Sequence, residues 1–181
     1  MVTPEDSILS LLQRPVSKSE ATFVANMFID HPDKIPELID YIKFNDLKIT
    51  MRASWILGTL WEIEPQLLRN HQYTLVQIVL STESDSVRRN LLRIIETMPL
   101  PDEFLGSLFD ICLKWTKSEQ FAIAVRAFSM QVLYRICCLE PDLTSEVMEQ
   151  INLITEFGSP GLKHRSKKLL IDLSKIKKKI E

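Results

Sequence analysis

An internal repeat limits the possible folds of this chain more than any other feature. The stretch 61–68 contains a Glu-Pro pair and reappears in outline at 137–143, two repeat units later. An arginine near the start of every second predicted helix recurs as Arg52, Arg88, Arg126 and Arg165. Both series indicate a unit of about 38 residues with two helices, which is typical of helical solenoids. In such a solenoid each unit buries its apolar face only against its neighbours.

Prolines separate the predicted helices, because proline is accepted in the first turn of a helix and disrupts its interior. Between the prolines, apolar residues recur every three or four positions, as Val87, Leu91 and Ile94 do, with Arg89 and Arg93 on the polar side. No segment shows the sustained alternation that is typical of strands. The pattern predicts ten helices, paired in order, at residues 4–13, 19–30, 34–44, 48–63, 65–81, 85–98, 102–116, 119–139, 142–156 and 161–179.

Length and composition favour a single globular domain. The 181 residues are enough to bury a sizeable core and too few for two ordinary domains, so we predict one domain over 1–181. Apolar residues make up 45% of the chain and charged residues 25%, which is the balance of a folded protein rather than a disordered one. With only four glycines, the chain lacks the raw material for phosphate-binding loops.

The residues that open the sixth predicted helix resemble a family pattern. Asp85-Ser86-Val87-Arg88 looks like the Asp-x-Val-Arg start of the second helix in HEAT repeats, and the resemblance covers nearly the whole chain in register. It implies an all-α fold: an α-α superhelix, or right-handed solenoid, of about five HEAT-like helix pairs. It also implies a function, because proteins of this family are mostly binding scaffolds whose second helices line the surface offered to a partner.

The resemblance therefore predicts a non-enzymatic scaffold that binds a protein partner. The candidate contacts are arginines and a tryptophan, residue types that binding centres favour. They are Arg52, Trp55, Arg88, Arg89, Arg93 and Arg126. An internal role is the other interpretation of the repeated arginines, since this arginine usually pairs with acidic side chains or carbonyls of adjoining repeats. Trp61 and Trp115 are expected in the core.

The end of the chain is basic and suggests a second possible partner. From residue 163 onward there are eight Lys and Arg against two acidic residues, which gives this segment a charge of +6. The whole chain has a net charge of −2, so residues 1–162 carry −8. The candidate contacts for a polyanion are Lys163, Arg165, Lys167 and Lys168. The alternative is a solvated capping helix, because Leu162, Leu169 and Leu173 form an apolar stripe that docks it on the preceding pair.

A weaker resemblance connects the chain with the HEAT-like DNA alkylation repair glycosylases. Gly158-Ser159-Pro160, followed by the basic stretch 163–170, resembles the start of their last helix. In that family a concave tryptophan is followed one turn later by a catalytic acid, and here Thr59 follows Trp55 at that spacing. Trp115 and Glu119 have the spacing but are expected to straddle a helix boundary. The alternative function is therefore nucleic-acid binding without glycosylase chemistry.

No motif predicts catalysis, a metal site, a cofactor or a small-molecule substrate. The sequence has no dinucleotide-binding motif, P-loop, zinc-protease motif or nucleophile elbow. Cys112, Cys137 and Cys138 lie in apolar helical segments and are expected to be buried free thiols. No apolar run approaches the ~18 residues of a membrane span, and the acidic start does not read as a secretory signal. We therefore expect a cytoplasmic protein with no membrane partner.

Overall fold

The computed structural model describes residues 7–15 and 17–179, apart from the side chain of residue 157. Within these residues the chain forms helices and no strand. The α-helices are α1 (Ile8–Gln13), α2 (Lys18–Asp30), α3 (Ile35–Asp40), α4 (Leu47–Ile63), α5 (Gln72–Ser81), α6 (Asp85–Ile95), α7 (Leu105–Lys117), α8 (Ile123–Leu139), α9 (Thr144–Phe157) and α10 (Pro160–Lys177). Short 3₁₀ helices span Pro32–Lys34, Tyr41–Lys43, Pro65–His71, Asp102–Phe104 and Pro141–Leu143.

The predicted helices all occur, but several of them start later or end earlier than the sequence indicates. α3 ends at Asp40 and α6 at Ile95, and α7 and α9 each begin after a short 3₁₀ helix. The predicted helix 65–81 starts with the 3₁₀ helix, and α5 proper begins at Gln72. The predicted helix 119–139 begins at Ile123, because Ser118 closes a turn before it: its hydroxyl accepts from the amide of Gln120 at 3.3 Å, and its carbonyl accepts from Phe121 at 3.4 Å. Residues 4–6 of the first predicted helix lie outside the described residues.

The repeated Glu-Pro pairs mark helix ends of the same conformation. Glu64 ends α4 with φ −140° and ψ 78°, and Glu140 ends α8 with φ −121° and ψ 79°. Each residue precedes a proline, which disfavours the helical conformation at that position. His31, before Pro32, ends α2 in the same way. The sequence repeat is therefore also a repeat of backbone structure.

Serine and aspartate side chains cap several helices. Ser17 accepts from the amide of Glu20 at 3.1 Å at the start of α2, and Asp46 accepts from Ile49 at 3.2 Å at the start of α4. At α6 the nearest cap oxygen belongs to Ser84, 3.5 Å from the amide of Val87. Ser159 is in the N-cap position of the last helix, but its side chain makes no capping hydrogen bond.

The chain forms two compact units, up to residue 94 and from residue 95 onward. In the first unit, α4 packs against α1, α2 and α3 and buries Ala53, Leu57 and Leu60 completely. Asn90 of α6 is also buried and donates to Ser54 Oγ of α4 at 3.0 Å, so a buried hydrogen bond joins these helices. The predicted single domain over 1–181 stays a prediction.

In the second unit, helices pack as the predicted pairs. α7 packs on α8, α9 packs on α10, and α10 also packs on α8. Leu108, Leu133 and Leu173 are fully buried between them. Each pair therefore covers the apolar face of its neighbour, as expected for stacked repeats.

One of the three cysteines departs from the prediction. Cys112 and Cys137 are buried, as expected, but Cys138 is exposed. The reason is helical geometry: one residue advances about 100° around an α-helix, so the neighbour of a core residue faces away from the core. Burial raises the pKa of Cys112 to about 12 and that of Cys137 to about 11.

We expect iodoacetamide at about pH 8 to alkylate Cys138 in the folded protein and to spare Cys112 and Cys137. The thiolate is the reactive form, and burial both hides these two thiols and disfavours their ionisation. Mass spectrometry of peptides labelled with and without denaturant measures the difference. Rapid labelling of Cys112 in the folded state would contradict the packing of α7 on α8.

Candidate functional site

The structure assigns internal hydrogen bonds to two of the repeated arginines in the first unit. Arg52 Nη1 donates to the carbonyl of Leu12 at 2.7 Å, across 40 residues of sequence. Arg88 donates from Nη1 to Asp85 Oδ1 and from Nη2 to the carbonyl of Thr82, both at 2.8 Å. Both guanidinium groups are therefore held by their own chain, Arg52 by the preceding repeat and Arg88 by residues of its own repeat.

In the second unit, Arg165 is held in the same manner. Its Nη2 lies 2.7 Å from Glu96 Oε2, and its guanidinium carbon stands 5.2 Å from the centre of the Phe128 ring. A further arginine, which the repeat did not indicate, also has an internal role: Arg135 Nη1 donates to the carbonyl of Ile95 at 2.7 Å. Burial is the main cause of the lowered pKa of Arg135. Arg52 and Arg135 each reach a carbonyl 40 residues earlier, which is about one repeat unit.

Arg126 differs from the other three repeated arginines. The residue is buried, at 8% exposure, and its Nε donates to the carbonyl of Thr116 at 3.3 Å. Among the residues that the structure describes, neither of its two terminal nitrogens has a hydrogen-bond or carboxylate partner. Asp85 stands three positions before Arg88, whereas Ile123 stands three positions before Arg126, so Arg126 lacks the carboxylate that Arg88 uses.

The arginines on the polar side of α6 differ in their surroundings. Arg93 Nη2 lies 3.3 Å from Glu62 Oε1 and rests against Gly58, where an added Cβ would lie 3.0 Å from the same nitrogen. Since exposed ion pairs contribute only about 0–1 kcal/mol, a partner can displace this one at little cost. Arg89 is exposed, with its Nε 3.4 Å from Asn90 Oδ1. Arg89 is thus accessible, whereas Arg93 is ion-paired.

The tryptophans divide between core and surface. Trp61 and Trp115 are buried, at 9% and 2% exposure, as the sequence predicts. Trp55 is partly exposed on α4, one turn before Thr59, whose hydroxyl donates to the Trp55 carbonyl at 3.0 Å. Trp55 is therefore the tryptophan within reach of a partner.

The basic residues of α10 are partly engaged by the chain itself. Lys163 Nζ donates to the carbonyl of Glu156 at 2.8 Å, and Arg165 is paired as described above. Lys167 and Lys168 are exposed. The predicted apolar stripe is buried, with Leu162, Leu169 and Leu173 at 0–3% exposure, so α10 packs on its neighbours through this face. Lys167 and Lys168 lie outside the stripe and face solvent.

The described residues contain no group of three His, Cys, Asp or Glu side chains placed to hold a metal ion. Among the described helices, none combines the length and the apolar character needed to cross a membrane. Partial burial lowers the pKa of His71, which lies at the end of a 3₁₀ helix.

Comparison with known proteins adds one match. The family model described as HEAT repeat domain matches residues 8–173, which is most of the chain. Searches of curated proteins and of solved structures find no match. None of the comparisons supports the weaker resemblance to DNA alkylation repair glycosylases.

Proposed function

The chain belongs to the HEAT repeat domain family, and on this basis we propose that it is a non-enzymatic scaffold that presents its helical repeats to a protein partner. The family match over residues 8–173 is the observation that carries the proposal, because HEAT repeats generally serve as protein-interaction scaffolds. An all-α stack of helix pairs leaves an extended surface available for a partner. The proposal includes no reaction and no cofactor, and it places the protein in the cytoplasm.

The distribution of charge favours a protein over a nucleic acid as the partner. A nucleic-acid binder usually neutralises several phosphates with accessible lysines and arginines. Of the four cations proposed for a polyanion, Lys163 and Arg165 already bind the chain itself. Residues 1–162 carry a formal charge of −8, which repels a phosphate backbone.

Salt dependence tests this proposal against the nucleic-acid alternative. We expect the purified protein to bind a fluorescent DNA duplex weakly at low salt and not detectably near physiological salt, because sparse phosphate contacts are readily screened. A captured protein partner should remain bound at the higher salt through apolar contacts. DNA binding of micromolar strength that survives the higher salt would replace the scaffold proposal with the nucleic-acid one.

Alanine substitution tests the proposed surface. We expect Trp55→Ala and Arg89→Ala to weaken capture of the partner by about tenfold, as substitutions at a binding centre do. The matched control is Tyr73→Ala on α5, the first helix of its pair, whose side chain is 47% exposed. Quantitative pull-down with the three variants measures the effect. Equal capture by all three would remove the assignment of the second helices as the contact surface.

A further inference from the structure

A cleft of about 500 Å³ opens in the second unit where the turn between α7 and α8 meets α9. Lys117 and Glu119 line it from the end of α7 and the following turn, and Arg126 lines it from the first turn of α8. Gln150 and Leu153 line it from α9. Polar and charged side chains of α7, α8 and α9, and of the turn after α7, therefore line the same cleft.

The guanidinium of Arg126 is only partly engaged by the protein. Nε donates to the Thr116 carbonyl, and this bond holds the plane of the group. The terminal nitrogens have no partner in the described part of the chain, although the residue is more than nine-tenths buried. These two terminal nitrogens are not fully buried and face the open cleft, where a ligand can bind them.

A second buried polar side chain meets the first in this cleft. Gln150 is 8% exposed, and its amide makes no hydrogen bond with any residue that the structure describes. It occupies a polar position on an otherwise apolar stripe of α9, between the buried Val147 and Ile154. Two buried side chains with unused donors, on different helices, line the same cleft.

Charge and shape define what the cleft accepts. Lys117 and Arg126 give two positive charges against the one negative charge of Glu119, so the cleft favours an anion of low charge. Leu153, 52% exposed, supplies an apolar wall beside the donors. A planar group with two acceptor oxygens matches the fork of a guanidinium, whereas a phosphate chain requires a row of cations that the cleft lacks.

We propose that this cleft receives the carboxylate of a Glu or Asp side chain from the protein partner, with an adjacent apolar side chain of the partner on Leu153. Arg126 binds the two carboxylate oxygens, Gln150 donates from its amide, and Lys117 adds positive charge at the rim. The inference rests on the proposed scaffold function and names the chemistry of its ligand.

Two small peptides test the inference on the full chain. The probes are N-acetyl-Leu-Glu-Leu-amide and N-acetyl-Leu-Gln-Leu-amide, and NMR follows the Nε–H signal of Arg126 and the side-chain amide of Gln150. We expect saturable shifts at both signals with the Glu peptide, with a Kd on the order of millimolar, and binding about tenfold weaker with the Gln peptide because charge-assisted hydrogen bonds are lost. Equal affinities, or no saturable shift, would overturn the inference.

Variants separate a specific cleft from general attraction to cations. Arg126→Gln should abolish the preference for the Glu peptide, and Arg126→Lys should retain part of it, since lysine keeps the charge but not the fork. Glu119→Gln should strengthen binding of the Glu peptide, because it removes the one carboxylate that lines the cleft. Glu119 is exposed, so this variant should fold and keeps the inference testable even if Arg126→Gln does not fold. The matched control is Arg69→Gln, an exposed arginine of the first unit, which should change nothing.

Two further outcomes distinguish failure of the inference from failure of the scaffold proposal. A captured partner that binds Arg126→Gln and the unaltered protein equally well would overturn the carboxylate cleft while leaving the scaffold in place. A DNA duplex that shifts the Arg126 and Gln150 signals at lower concentration than the Glu peptide would overturn both.

Discussion

Replacing Trp115 by alanine is expected to lower the free energy of unfolding by about 3–5 kcal/mol. Trp115 lies near the end of α7, is 2% exposed, and has its ring centre 6.2 Å from that of Phe121 in the turn that leads to α8. Truncation removes the largest fully buried side chain of the described residues and leaves a cavity that the surrounding helices fill only in part. Chemical denaturation followed by far-ultraviolet circular dichroism measures the loss.

The matched control for Trp115→Ala is Phe23→Ala. Phe23 is also aromatic but is 48% exposed on α2, so its truncation should cost less than about 1 kcal/mol. Because Trp115 packs beside the turn before Arg126, its loss should also loosen the proposed carboxylate cleft. A loss of stability no greater than that of Phe23→Ala would contradict the burial of Trp115.

The second large effect is expected at Gly158, where Gly158→Ala should lower the free energy of unfolding by about 2 kcal/mol. A Cβ at this position would lie 2.6 Å from the carbonyl oxygen of Ile154 and 2.9 Å from its Cγ2. The nearest atom belongs to the backbone of α9, so the end of the helix has to move to relieve the clash. The backbone at Gly158 has φ −74°, so close approach, and not unusual torsion, is the reason for glycine.

Gly106→Ala provides the control with the opposite sign. Gly106 is in α7, and a Cβ there would meet nothing within 4 Å. Alanine should therefore raise the free energy of unfolding by up to about 1 kcal/mol, because it restricts the unfolded chain and suits a helix. Urea denaturation of the two variants in parallel measures the contrast. A loss of stability at Gly106 equal to that at Gly158 would show that the contact with Ile154 is not the cause.

Most of the helical structure was predictable from local patterns. The apolar period and the prolines located the ten helices, and the Glu-Pro repeat located two helix ends of equal conformation. The errors were local as well. A serine turn delays α8 to Ile123, and Cys138 lies one position beyond the buried Cys137, on a side of α8 that the apolar composition of the segment did not distinguish.

The candidate site was only partly predictable, because a sequence pattern shows which side chains recur and not what they touch. The repeat identified Arg126 but missed Gln150 and Lys117, which line the same cleft. Two signals were present in the sequence: Ile123 where the preceding repeat has Asp85, and a glutamine on the apolar stripe of α9. Neither identifies a cleft unless the helices are placed in space.

Local periodicity was thus enough to establish the all-α class and the HEAT-like repeat, because helix formation and amphipathic patterning depend on residues within a few turns of one another. The role of each arginine depended on the tertiary structure. Arg52 meets a carbonyl 40 residues away and Arg165 a carboxylate 69 residues away, whereas the terminal nitrogens of Arg126 meet neither among the described residues. These arginines occupy similar positions in their repeats, and only the tertiary structure shows which of them bond internally and which keep free donors. The reason is that hydrogen-bond partners are set by distance in space and not by distance along the chain.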